Sequence, residues 1–157
     1  MNLFLLRHGK AEPNANSGED FDRKLDDKGR KQVVLLNEFF RTELKDESVV
    51  VFCSSAKRTQ ETFNGIKTAI DIKSTVYDRQ LYLASLKTLL SFLCKNPIKE
   101  NILIVGHNNG LSDLASYLLD DSISLPTGGF IGMSFPFDSS EEISQGTATK
   151  LFHFYPR

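Results

Sequence analysis

The chain is 157 residues long, 40% hydrophobic and 25% charged, with a formal net charge of -1. That size supports one sizeable core rather than two, so a single domain is expected over residues 1–157, and the composition is that of a soluble globular protein. Near-neutral charge excludes bulk attraction to nucleic acid or to an anionic membrane, so neither is expected as a partner and any basic site must be local.

Leu3-Phe4-Leu5-Leu6 is an unbroken apolar run bounded by Asn2 and Arg7. It is too short for a buried helix, and bulky side chains without alternation suit a strand covered on both faces in a parallel sheet. Arg7 and His8 then emerge at the carboxyl end of that strand. In an open α/β sheet this is the edge where ligands bind, because crossover helices cover the faces and leave the strand ends free. Gly9 lets the backbone turn sharply and hold the imidazole at the mouth of the crevice. On this segment alone, an ordinary charged turn after a strand is as good a reading as a nucleophile beside a phosphate anchor.

Ala11 to Asp22 is polar and reads as a loop long enough for a partial lid. Asp26 occupies an N-cap position, and Val33, Leu36, Phe40 and Leu44 mark the apolar stripe of a helix from about Asp27 to Leu44. Lys24, Lys28, Arg30 and Lys31 read as a solvated face. Val49 to Cys53 is a second buried strand, ending in Ser54-Ser55. Thr59, Phe63, Ile66 and Ile70 fall at helical spacing over Ala56 to Ile70, which places Arg58 in a first helical turn, where the dipole disfavours a cation.

Thr75 to Tyr77 is a weak strand pattern, Leu83 to Cys94 a helix ahead of Pro97, and Asn101 to Val105 the clearest central strand. Gly106-His107-Asn108-Asn109-Gly110 follows at once, and Gly110 to Leu119 reads as a helix. Pro126 to Gly129 is a turn, Phe130 to Phe135 a strand, Asp138 to Gly146 a polar loop and Thr147 to Tyr155 a last strand, in which His153 reads as an ordinary strand residue. The alternation predicts a three-layer α/β domain with a mostly parallel central sheet and helices on both faces. One or two late strands are antiparallel, because their connection is too short for a helix. The two cysteines, Cys53 and Cys94, lie far apart without metal-ligand spacing and read as reduced core thiols. No leader-like segment or membrane-length apolar run is present in the sequence, so the cytoplasm is the default location.

Three strands thus end in similar chemistry: Arg7-His8-Gly9, Ser54-Ser55 with Arg58, and Gly106-His107-Asn108. Parallel strands bring those ends to one edge, where two guanidiniums and two imidazoles form a compact basic pocket suited to a phosphoryl group. Each arginine about 4 Å from a phosphate charge is worth on the order of 4 kcal/mol at an effective dielectric near 20. Ser54 and Ser55 also suit a helix cap, and Asn108 a turn.

Taken together, Arg7-His8-Gly9, the Ser54-Ser55-x-x-Arg58-Thr59-x-x-Thr62 run and Gly106-His107-Asn108 resemble the histidine phosphatase superfamily, most nearly its small SixA-like phosphohistidine phosphatases. The resemblance extends to Leu25–Gln32, Leu81-Tyr82 and Pro126–Gly129. It implies a phosphoglycerate mutase-like fold in which His8 attacks phosphorus and is transiently phosphorylated. Arg7 and Arg58 would hold the phosphoryl oxygens, His107 would donate to the same group, and Gly9, Ser54, Ser55 and Asn108 would line the phosphate subsite. No metal or organic cofactor is implied. The expected partner is a phosphorylated histidine-containing protein or a small phosphorylated substrate, and the expected state a monomer.

Larger members of that superfamily carry a carboxylate, ahead of the helix that here starts near Leu83, that protonates the leaving group. In Tyr77–Tyr82 the sole acid is Asp78, which suits a solvated turn better than a proton donor, and Glu12, Asp20 and Glu61 have less support still. An alkoxide needs a positioned acid, whereas imidazole, with a pKa of about 6.5, leaves protonated with ease. The departure therefore favours a phosphoramidate. A phosphomonoesterase or phosphomutase acting on a small metabolite is the alternative in the same fold, and a non-catalytic phosphate-binding module the alternative of another class.

Overall fold

A strand covered by helices on both sides needs apolar side chains at every position, and the apolar runs of the chain duly form the centre of a sheet. In chain order the computed structural model, which describes residues 1–157, contains β1 (Asn2–Arg7), α1 (Asp27–Glu43), β2 (Ser48–Ser54), α2 (Lys57–Ile66), β3 (Asp71–Asp78), α3 (Leu86–Lys95), β4 (Asn101–Gly106), α4 (Gly110–Leu119), β5 (Phe130–Ser134) and β6 (Thr149–Phe154). The strands form one six-stranded sheet in the order β3-β2-β4-β1-β5-β6. β1 to β4 run parallel, β5 is antiparallel to β1, and β6 is antiparallel to β5. The chain therefore adopts the expected mostly parallel α/β architecture with late antiparallel strands.

Successive residues of the central strands point to opposite faces, which divides the core in two. Leu3 and Leu5 of β1 and Ile102 and Ile104 of β4 pack with Leu89 and Leu93 of α3 and Leu111, Leu114 and Leu118 of α4. Phe4, Leu6, Leu103 and Val105 pack instead with Leu36 and Phe40 of α1 and Phe63 and Ile66 of α2. The register pairs Arg7 with Gly106 across β1 and β4, and Cys53 with Val105 across β2 and β4. His8, Ser54 and His107 consequently leave the sheet side by side at one edge.

Differences from the sequence reading fall where local pattern is weakest. β3 spans Asp71–Asp78 instead of Thr75–Tyr77; it is an edge strand bonded only to β2 and mostly solvent-facing, so it shows no apolar run. α2 stops at Ile66, four residues early, and Ala69 and Ile70 bury in the turn that carries the chain to β3. α3 begins at Leu86, where the Ser85 hydroxyl caps the Thr88 N–H at 3.2 Å, and Leu83 stands outside it at φ 50°. The segment after Ala11 is a loop as expected, except for one 3-10 turn at Asp20–Asp22. Both cysteines are free, and burial pushes the Cys53 thiol up to about 12. No helix is long and apolar enough to cross a membrane.

Candidate functional site

The main chain of His8 is held from two sides. Its N–H donates to Gly106 O of β4 (3.1 Å) and its carbonyl accepts from Gly128 N (2.8 Å), while Arg7 N–H donates to Gly129 O (2.9 Å). The loop Pro126–Gly129 and the end of β4 thus clamp the end of β1. The imidazole Nδ1 lies 2.7 Å from Gly9 O. A carbonyl can only accept, so Nδ1 carries the proton and Nε2 keeps its lone pair, toward which Arg58 Nε–H donates at 3.3 Å.

Gly9 supports this arrangement in a way the sequence does not announce. Its φ is not positive, so the expected sharp glycine turn is not the reason for the residue. An added Cβ would instead meet Gly29 O at 3.1 Å and Gly29 Cα at 3.3 Å, a tight contact with the start of α1 that glycine relieves. The Gly9 N–H donates to Thr62 Oγ1 at 2.9 Å, and that hydroxyl donates to Arg58 O at 2.8 Å. Gln32 of α1 accepts from Lys10 N (2.8 Å) and donates to Thr127 O (3.1 Å), tying both flanking loops together.

His107 faces His8 with ring centroids 5.3 Å apart. Its Nε2 lies 2.7 Å from Ser54 Oγ. Ser54 Oγ accepts from Ala56 N–H at 3.4 Å and keeps its own hydroxyl hydrogen, so it serves Nε2 as a donor when the His107 proton sits on Nδ1. That Nδ1 is buried without a protein partner, and so is Arg7 Nε. Buried polar atoms without a partner are rare in folded proteins, and two of the four in this chain meet at this point. Arg7 Nη1 is anchored on Leu125 O at 2.9 Å, a carbonyl that also takes Asn108 Nδ2 at 3.0 Å.

Arg58 is 2% exposed, the largest fully buried side chain in the protein. Its Nη1 donates to Asp20 O at 2.8 Å and its Nη2 to Asp20 Oδ2 at 3.0 Å. The Tyr82 hydroxyl donates to the same Oδ2, and Arg23 Nε donates to Oδ1 at 2.9 Å. Tyr82 also sets its ring edge-on to His107, centroids 5.3 Å apart, with Phe21 packed against it at 5.0 Å.

Burial dominates the electrostatics. It lowers His8 to about 4, the arginines pushing the same way and the Gly9 hydrogen bond opposing. It lowers His107 to about 3, with His8 and Arg58 adding to the effect. Both imidazoles are therefore neutral near pH 7, and the expected basic pocket holds two cations, Arg7 and Arg58. Asp20 is held well below the usual carboxylate range, chiefly by the Tyr82 hydroxyl and then by Arg58 and Arg23.

His8, Arg7, Arg58 and His107 thus meet at one point, as the strand-end reading requires. The peptide groups of Gly9 are engaged with Thr62 and His8, the Ser54 hydroxyl with His107 and Ala56, and the Asn108 side chain with Leu125 and Ser112, so each positions a neighbour. Ser55 lines an adjoining groove of about 480 Å³ with Lys57, Gln60 and Phe21. Asp78 caps the turn after β3 by accepting from Gln80 N (2.8 Å), and Glu61 accepts from Leu25 N (2.7 Å). Glu12 makes no side-chain hydrogen bond, which leaves Asp20 as the acid inside the site. Tyr82 is the member to which the sequence reading gives no role; its signals are its place in the Leu81-Tyr82 segment of the resemblance and just after the 3-10 turn that follows β3. No surface cavity is lined by either histidine, and the loop expected as a lid flanks a groove of about 360 Å³ with Lys24 and Lys57. His153 lies exposed on β6, at the far edge of the sheet.

A family model described as histidine phosphatase superfamily (branch 1) matches residues 3–81. A candidate phosphohistidine phosphatase SixA from Nakamurella multipartitia superposes with a TM-score of 0.79 at 23% identity, over 99% of this chain and 95% of that one. Its counterpart from Agrobacterium tumefaciens gives 0.78 at 22% identity, over 99% and 97%. A protein histidine phosphatase SixA complexed with tungstate gives 0.80 at 18% identity, over 99% and 97%. At these identities the likeness is one of fold. No curated protein matches the sequence.

Proposed function

The chain belongs to the histidine phosphatase superfamily, and on that premise we propose that it is a metal-independent phosphatase that removes the phosphoryl group from a phosphorylated histidine of a protein. The observation that carries the reading is His8 itself: neutral, with its tautomer set by Gly9 O, and with Nε2 facing Arg58 Nε at 3.3 Å. A neutral imidazole is a competent nucleophile near pH 7 and needs no separate base.

His8 Nε2 attacks phosphorus as the bond to the substrate nitrogen breaks. The electron pair of that bond leaves with the substrate imidazole. Arg7 and Arg58 hold the phosphoryl oxygens through the rearrangement, and His107 Nδ1–H, directed by Ser54 at the opposite nitrogen, donates to the same group. Gly9 O, which accepts from Nδ1, stabilises the positive charge that the His8 ring gains on phosphorylation. Water then attacks phospho-His8, releasing phosphate and restoring the neutral ring. The charged groups that meet the phosphoryl in this reading are guanidiniums.

The leaving group separates this reading from a phosphomonoesterase or mutase. An alkoxide requires a proton donor, and the carboxylate at the site, Asp20, is kept ionised by its three hydrogen-bond donors. A phosphohistidine ring that already carries a proton on the nitrogen remote from phosphorus leaves as neutral imidazole without one. A binding-only module would need the arginines but not a histidine of fixed tautomer.

The test is turnover in EDTA of a phosphohistidine peptide beside p-nitrophenyl phosphate. Preferential dephosphorylation of the peptide, abolished in His8→Ala while phosphate binding survives, is expected. Preference for the ester would overturn the substrate class, and an active His8→Ala protein would overturn the nucleophile.

A further inference from the structure

Asp20 is an ionised carboxylate in a site built for an anion, and its charge opposes that of an incoming phosphoryl group. It is nonetheless held by three side chains, those of Tyr82, Arg58 and Arg23. One guanidinium spans it and the nucleophile: Arg58 donates from Nε to His8 Nε2 and from Nη2 to Asp20 Oδ2. The burial of the pair is unequal, the Arg58 side chain being 2% exposed and that of Asp20 45%. Arg58 is thus the buried member of the pair and Asp20 the one that faces solvent, the side open to an approaching substrate. The Oδ1 and Oδ2 oxygens together offer more acceptor sites than the three donors use.

We propose that Asp20 is a specificity-determining residue that accepts a hydrogen bond from the ring N–H of a protonated phosphohistidine and so selects phosphoramidates with a cationic ring over phosphomonoesters. The inference rests on the phosphatase reading above and deepens it. Phosphohistidine reacts easily when the ring nitrogen remote from phosphorus is protonated, because the group that departs is then neutral imidazole rather than imidazolate. Asp20 holds the substrate in that form. During transfer the P–N bond of the substrate breaks, its electron pair goes to the substrate ring nitrogen, and the P–N bond to His8 forms. The ring N–H stays where it was, so Asp20 takes up no proton. A phosphomonoester has no N–H to offer and leaves as an anion, which the carboxylate repels.

The experiment compares wild type with Asp20→Asn, kcat/KM being measured for a phosphohistidine peptide and for p-nitrophenyl phosphate from pH 6 to pH 9. Loosening of Arg58 lowers both activities alike and cancels in their ratio. Replacing a charged acceptor by a neutral one should lower the ratio by about tenfold, and it should move the alkaline limb of the peptide profile to lower pH. Tyr82→Phe, which keeps the carboxylate but frees it, should lower the ratio less; it also serves if Asp20→Asn fails to fold by circular dichroism. An unchanged ratio with an unchanged alkaline limb would reduce Asp20 to a prop for Arg58 and overturn the proposal. A wild-type protein that ignores the peptide but cleaves the ester removes the phosphohistidine reading itself, a different failure.

Discussion

An imidazole buried beside two guanidiniums should refuse a proton at pH values where a solvated histidine accepts one. His8 is 7% exposed, and burial with Arg58 and Arg7 lowers it to about 4. At pH 5.5 that value leaves about 3% of the ring protonated, against about 91% for an unperturbed histidine of pKa about 6.5. The perturbation is acidification of the ligand-free protein from pH 7.5 to 4.5, followed through the imidazole carbon–proton resonances of labelled histidine. His8 and His107 are expected to hold their neutral shifts down to about pH 5, while exposed His153 titrates above them. Stability follows the same sign. Between pH 6.5 and the folded values the unfolded chain binds more protons, so stability is full above pH 6.5 and declines as the pH falls. The slope is at most about 1.4 kcal/mol per pH unit for each histidine. A His8 midpoint near 6.5 would show a solvated ring, and the account of a buried, neutral nucleophile would fail with it.

Two further substitutions probe the supports of the site. Ser54→Ala removes the partner of His107 Nε2 inside a buried cluster; a loss of about 1–3 kcal/mol in thermal or urea denaturation is expected, together with a fall in kcat larger than any rise in KM. An unaltered kcat would mean that something other than Ser54 orients His107. Gly110→Ala would place a Cβ 1.9 Å from Ala84 O and 3.2 Å from Leu89 Cδ1, so α4 must retreat from the turn before α3. Overpacking of this kind destabilises by about 1–3 kcal/mol, and a denaturation midpoint equal to wild type would show that α4 packs more loosely there.

β1, β2 and β4 were legible because their covered faces demand continuous apolar sequence, and α1 and α4 because a stripe at helical spacing is written into the residues themselves. The convergence of Arg7, His8, Arg58 and His107 was legible for a related reason: each follows a buried parallel strand, and parallel strands end together. β3 was nearly illegible, since an edge strand bonded on one side carries no apolar requirement. The end of α2 was misread because Ile70 continues the helical spacing while its burial is supplied by a turn.

Local chemistry by itself determined the layered α/β fold and the four residues at the strand ends, because periodicity and strand direction are properties of short stretches. Tertiary structure alone decided that Gly9 serves close packing, that Ser54 and Asn108 orient neighbours, and that the imidazoles are neutral. It alone brought Asp20 and Tyr82 onto Arg58, because residues 20, 58 and 82 share no pattern along the chain and meet only when three separate segments fold over the same sheet edge.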